Sequence, residues 1–251
     1  MENGEKIKMN YRLLIQYDGT RYKGWQRLNT TDNTIQGKIE NVLSKLVGNP
    51  VEIIGASRTD AGVHAKGQVA NVHLEKIIGE EELKEYLNQY LPEDIEILKV
   101  KEVSPNFHAR YNAGNKTYTY TIAMKDRKQV FERKYMHHIS EELNLTKMQE
   151  AVKFFLGEHD FQSFCAKKMK KSTFRTIENI EFSERNGILR ITYVGSGFLY
   201  HMVRLMTGTL IEIGLETKSP ESIPLILGKR ERKVAGTLSP AKGLCLEKIE
   251  Y

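Results

Sequence analysis

The sequence lacks any apolar run long enough to cross a bilayer. Its opening residues, Met1-Glu2-Asn3-Gly4-Glu5-Lys6, lack the apolar core of a signal peptide. Together these absences make a cytoplasmic location, away from any membrane, the expectation. Cysteine is scarce: Cys165 and Cys245 fit no metal or redox spacing. In a chain that is not secreted they are expected to be packed thiols, not a disulfide. There is no low-complexity tract, no short-period repeat and no Gly/Ser linker, which argues against a solenoid or a beads-on-a-string array. The histidines give no zinc pattern either. His64, His73, His108, His159 and His201 are scattered, and His137-His138 would point to opposite faces of a strand, so no metal site is expected.

What is present is ordinary for a globular chain. The 251 residues, 40% apolar and 28% charged, suffice for one large domain or two small ones with a real core. The net charge of +6 and pI of about 9.1 favour polyanionic partners as a general tendency. The distribution says more. Lys167, Lys168, Lys170, Lys171 and Arg175 crowd one segment. Lys125, Arg127, Lys128, Arg133 and Lys134 crowd a second, diluted by Glu132, and Lys229, Arg230, Arg232 and Lys233 a third, diluted by Glu231. Each suits a solvated face. The first has no acid between Lys167 and Arg175 and is the best candidate for phosphate contact.

Periodicity predicts strands over 9–17, 51–56, 67–74, 95–103 and 116–123, a hairpin of 177–182 and 188–194 about Asn186-Gly187, and a last strand over 244–249. Helices are expected from about Thr34 to Val47, over 81–91, from Thr146 to near Gly157, over 198–213, and after Ser219-Pro220. Capping boxes are read at Asn33 with Gln36 and at Thr146 with Gln149. Helices and strands mix without strict alternation and hairpins are frequent. The expected class is therefore α+β: two similar sub-domains with a mostly antiparallel mixed sheet flanked by helices. The expected division is a tail over 1–8, a sub-domain over 9–112 and another over 113–251.

Some loop residues are expensive to explain as scaffold. Arg58 and Asp60 lie two apart between apolar strands. A guanidinium beside a carboxylate keeps it ionised, and an ionised carboxylate in a pocket can serve as nucleophile, base or electrostatic stabiliser. The same spacing also describes a surface ion pair in a tight turn, of little consequence. Tyr118 shares a strand face with Tyr120 and Ile122 and reads, on the residues alone, as a core aromatic. Arg204 lies near the buried stripe marked by Met202, Val203 and Met206, where an arginine needs a carboxylate partner.

A longer string changes the balance. Gly55-Ala56-Ser57-Arg58-Thr59-Asp60-Ala61-Gly62-Val63-His64-Ala65 with Gly67-Gln68-Val69-Ala70 closely resembles the active-site motif of the tRNA pseudouridine synthase A (TruA) family. The resemblance continues collinearly through Tyr17-Asp18-Gly19-Thr20, Gly24-Trp25-Gln26, Thr34-Ile35-Gln36, Phe107-His108-Ala109-Arg110 and Lys116-Thr117-Tyr118-Thr119-Tyr120. Gly157-Glu158-His159-Asp160-Phe161, Phe198-Leu199-Tyr200-His201-Met202-Val203-Arg204, Gly243-Leu244 and Tyr251 complete it. It departs at Ser57, where many members have Gly, at Ser239 before Pro240, and at Cys245 in place of an aromatic.

The resemblance implies the pseudouridine synthase fold. It also implies isomerisation of uridine to pseudouridine at positions 38, 39 and 40 of the tRNA anticodon stem-loop, by a homodimer without a cofactor. It makes Asp60 the nucleophile and Arg58 the residue for base flipping and carboxylate pairing. Tyr118 becomes the substrate-binding tyrosine, and Arg204 an active-site support directed at Asp60 or its neighbourhood. Phe107, His108, Ala109, Arg110 and Tyr111, with Lys168, Met169, Lys170, Lys171 and Ser172, correspond to RNA-contacting strips. The partner that the resemblance implies is tRNA, not DNA. Two other readings stay open: a synthase for another RNA position, and a non-catalytic RNA-binding or chaperone protein on the same scaffold.

Overall fold

The computed structural model describes residues 8–125, 129–167 and 170–251. Contacts divide the chain into Met1–Gly114 with Leu246–Tyr251, and Asn115–Cys245. The sequence alone keeps 113–251 together; in the structure the last residues pack with the first unit. Gly114 N donates to Glu250 O at 2.8 Å, and the Tyr251 hydroxyl donates to Ala109 O at 2.6 Å.

In the first unit, β1 (Met9–Tyr17) buries Tyr11, Leu13, Ile15 and Tyr17, the alternation that its sequence shows. Helix α1 (Ile35–Val47) follows, then β2 (Ile53–Gly55) and β3 (His64–Leu74). Helix α2 (Glu80–Tyr90) leads into β4 (Ile95–Val103). Strand β1 pairs antiparallel with both β3 and β4, and β2 pairs antiparallel with β3. Helix α1 is capped by Thr34, whose side chain accepts from Gly37 N, and Gly48 closes it in the left-handed conformation. The expected Asn33–Gln36 box is not the cap: Asn33 Nδ2 donates to Arg21 O at 2.6 Å, and Gln36 is buried in another network. Helix α2 buries Leu83 and Leu87 but leaves Tyr90 exposed, its ring against Tyr86 at 4.7 Å.

In the second unit, β5 (Lys116–Met124) pairs in parallel with β6 (His137–Ile139) and antiparallel with β9 (Ile188–Gly195). Between them in sequence lie α3 (Leu145–Val152), β7 (Gly157–Asp160) and β8 (Phe174–Arg185), with β7, β8 and β9 successively antiparallel. The β8–β9 turn is Asn186-Gly187, both at positive φ (55° and 74°), as the hairpin signal requires. Helices α4 (Met202–Gly214) and α5 (Ser222–Lys229) follow, and β10 (Leu244–Ile249) ends the order. The cap of α3 is Asn144, accepting from Lys147 N at 3.1 Å, not Thr146. Helix α4 begins at Met202, not at residue 198, because His201 sits at φ 65° and interrupts the helical path. Pro220 precedes α5 instead of opening it.

The architecture is thus α+β, with mostly antiparallel strands flanked by helices. Neither Cys165, which is buried, nor Cys245, which is partly so, is in a disulfide. Among the described residues no helix is long and apolar enough to cross a membrane.

Candidate active site

The loop between β2 and β3 carries Ser57 to Val63, and its backbone is held from several sides. At its start, Gln68 on β3 is fully buried; its Nε2 donates to Ser57 O at 2.8 Å and its Oε1 accepts from Ser57 N at 3.3 Å. At its middle, the Tyr17 hydroxyl and Thr59 Oγ1 share a buried hydrogen bond of 2.7 Å. Trp25 N donates to Thr59 O at 3.0 Å, and Val63 N to Asp60 O at 3.1 Å. Two glycines permit this close packing. Gly24 sits at φ +99°, and a Cβ there would lie 2.7 Å from Thr59 O. A Cβ on Gly19 would lie 2.0 Å from Val63 O. The Asp-Gly-Thr and Gly-Trp-Gln segments after β1 therefore act as a brace for the loop.

Within that brace Thr59 is buried, Asp60 half-buried and Arg58 exposed. The loop thus presents a carboxylate on a fixed backbone, the preorganisation that covalent or acid–base chemistry needs. The ion pair expected between Arg58 and Asp60 is not formed: among the described residues Arg58 has no hydrogen bond or ion pair. Its charge acts instead on Arg110. Burial first, and then the Arg58 charge, lower the Arg110 pKa. The reason is packing, since Ala56 and Ala109 share an apolar cluster with Val69 and draw the two segments together.

The strip from Phe107 to Tyr111 is fixed by a buried polar pair. Asn71 Nδ2 donates to Asn10 Oδ1 at 3.0 Å, and Asn71 Oδ1 accepts from Ala109 N at 2.9 Å. Asn10 Nδ2 donates to Phe107 O at 2.9 Å. The strip's ends are open: Tyr111 is exposed and stacks on His108 with centroids 4.0 Å apart. The C-terminal Tyr251 packs on Phe107 at 5.3 Å.

In the second unit, Tyr118 on β5 lies opposite Tyr193 on β9 and is almost wholly buried, edge-on to Phe198 at 5.2 Å. Arg204 on α4 is partly buried, and its Nε donates to Ser239 O at 2.8 Å. The Tyr120 hydroxyl donates to Pro240 O at 2.8 Å, so the 239–240 segment is pinned to both β5 and α4. In the basic segment Lys170, Lys171 and Ser172 are exposed, whereas Lys168 and Met169 lie outside the described residues.

The family model described as tRNA pseudouridine synthase matches residues 13–112 and 151–251. The chain belongs to that family. The tRNA pseudouridine synthase A of Bacillus sp. (strain KSM-64) is 53% identical over 243 residues, 96% of this chain and 99% of the relative. The tRNA pseudouridine synthase A 2 of Bacillus anthracis is 51% identical over the same shares. The tRNA pseudouridine synthase A 1 of Clostridium tetani (strain Massachusetts / E88) is 45% identical, again over 96% of this chain and 99% of the relative.

As a tRNA pseudouridine synthase the chain is an isomerase that modifies RNA. The matched segments contain Arg58, Asp60 and Arg204, whereas Tyr118 lies between them. The structure gives a use, holding the loop or the strip, to residues to which sequence reasoning assigned no role: Gln68, Asn10, Asn71, Tyr17 and Trp25. All five are buried around the loop or the strip. Tyr17, Trp25 and Gln68 stand inside the motifs that carry the resemblance, so their presence was visible but their partners were not. Asn10 and Asn71 carried no signal, because an asparagine at an inward strand position looks like an error until its partner is known.

Proposed function

We propose that this synthase converts uridines at positions 38, 39 and 40 of the tRNA anticodon stem-loop to pseudouridine, with Asp60 as the nucleophile. The observation that carries this reading is a half-buried Asp60 on a loop whose neighbours Ser57 and Thr59 are locked by buried hydrogen bonds. The reaction breaks the N1–C1′ bond and forms a C5–C1′ bond; C5 loses a proton and N1 gains one. Nothing is oxidised, so the chemistry calls for no redox cofactor. A carboxylate that forms and then releases a covalent intermediate splits the exchange into easier steps.

A stacked uridine must first leave the helix. Arg58 is exposed and unpaired among the described residues, which suits insertion into the vacated stack or a grip on a phosphate. Tyr118 is the substrate-binding tyrosine in this reading, and Arg204 supports the active site. Phe107 to Tyr111, with the Lys168 to Ser172 segment, hold the RNA, where phosphate contacts set register and shape supplies recognition. The enzyme works as a cytoplasmic homodimer on tRNA, not on DNA or at a membrane.

The test is purified protein with unmodified tRNA transcripts and chemical mapping of pseudouridine. Product at 38, 39 and 40, abolished when those positions are cytidine, is expected; product confined to other positions contradicts the target. For Arg58→Ala, turnover should fall by about 100- to 1,000-fold, the scale of removing one transition-state interaction. Most tRNA binding should survive, and loss of binding with an unchanged turnover rate would refute the flipping role.

A further inference from the structure

The three cationic clusters differ in what neutralises them. In the third, Arg230 lies 2.7 Å from Asp160 and Lys233 2.9 Å from Glu231. In the second, Lys125 lies 2.9 Å from Glu142, and Arg127 and Lys128 lie outside the described residues. In the first, Lys167, Lys170, Lys171 and Arg175 have no carboxylate partner among the described residues. Cations left uncompensated at this density repel one another and gain from a polyanion whose counterions they release.

Arg175 is only partly exposed, and burial lowers its pKa. Its Nη1 donates to the carbonyls of Ser172, at 3.2 Å, and Phe174. Among the described residues the rest of its guanidinium has no acceptor. Beside this segment stands Tyr200, 41% exposed. Its ring stacks on His201 with centroids 3.7 Å apart, and Lys167 Nζ lies over it, 4.5 Å from the centroid. Ala166 N donates to Tyr200 O at 3.2 Å, which fixes the start of the cationic segment next to the ring. The outer neighbour of this ring is thus a flexible lysine. Base–aromatic stacking is stronger than a cation–π interaction at an exposed site, so a base can displace the ammonium and free it for a phosphate.

We infer that Tyr200, Lys167 and Arg175 form a subsite for an unpaired nucleotide of the RNA substrate, its base on the Tyr200 ring and its phosphates on the two cations. This rests on the tRNA reading for the identity of the RNA. An acidic peptide would satisfy the cations but leave the ring without a purpose, and the test separates the two.

The experiment measures binding of unmodified tRNA transcript to the full chain across a salt series, with product formation followed in parallel and melting curves as a check on folding. Tyr200→Ala should weaken binding by about 5- to 100-fold, and Tyr200→Phe by no more than about twofold. Lys167→Gln with Arg175→Gln should lower the slope of log affinity against log salt by about 0.7 for each single-strand phosphate no longer neutralised. Tyr200→Ala binding like the wild type overturns the inference. So does a loss confined to the cation variants, which would mark the surface as a general polyanion attractor. A wild-type chain that binds tRNA without making pseudouridine contradicts the function reading alone and leaves these binding differences legible.

Discussion

The loop around Asp60 and the cationic segment around Lys167 are built in opposite ways. The loop is gripped by Gln68, Tyr17 and Trp25 and packed so closely that Gly19 and Gly24 have no room for a methyl group. The segment is exposed, and its cations have no carboxylate partners among the described residues. Bond-making needs a carboxylate held within a fraction of an ångström, and that calls for a rigid, buried brace. Attraction of a polyanion needs only charge in the right neighbourhood, and rigid pairing would cancel it. The loop should therefore be sensitive to single atoms and indifferent to salt. The segment should be the reverse.

The sharpest way to break that contrast is Gly24→Ala. The new Cβ would meet Thr59 O at 2.7 Å from a backbone at φ +99°. We expect a fall in kcat of about 100-fold, a loss of about 1–3 kcal/mol of stability, and little change in tRNA affinity. Equal losses in kcat and affinity would mean that the loop also binds RNA. Gln68→Leu comes next. It keeps the volume but strands the Ser57 backbone groups in the interior, at a cost of about 1–3 kcal/mol in a melting or denaturant measurement. The mildest is Lys170→Gln with Lys171→Gln. It should leave stability within about 0.5 kcal/mol, while the salt slope of tRNA binding drops by about 0.7 to 0.9 for each phosphate no longer neutralised. A change in melting temperature without a change in slope would reverse the assignment of roles.

Local patterns were legible in the sequence because they are local. The alternation of Tyr11, Leu13, Ile15 and Tyr17 placed β1, the stripe of Ile35, Ile39 and Leu43 placed α1, and Asn186-Gly187 placed the hairpin. Caps were displaced by one or two residues, since Asn33 and Thr34, or Asn144 and Thr146, offer equally good side-chain acceptors and only the backbone path decides. Strand β7 was missed because Gly157-Glu158-His159-Asp160 has no apolar alternation; its pairing with β8 creates it. At the candidate site, the Arg58-Thr59-Asp60 motif was readable as a string. What the string hid was every partner distant in sequence: Asn10 with Asn71, Gln68 with Ser57, Tyr17 with Thr59. It also suggested a pairing of Arg58 with Asp60 that is not formed; Arg58 lies instead close enough to Arg110 for its charge to lower that group's pKa.

On the proposed function, Asp60 performs the bond chemistry on a loop built to hold it still. The most direct test is single-turnover formation of pseudouridine in saturating enzyme by Asp60→Asn, a change that keeps shape and removes the carboxylate. We expect a protein with wild-type melting and tRNA binding whose rate is lower by at least about 10,000-fold, the scale seen when a nucleophile is removed. Product at a rate near that of the wild type would contradict this role.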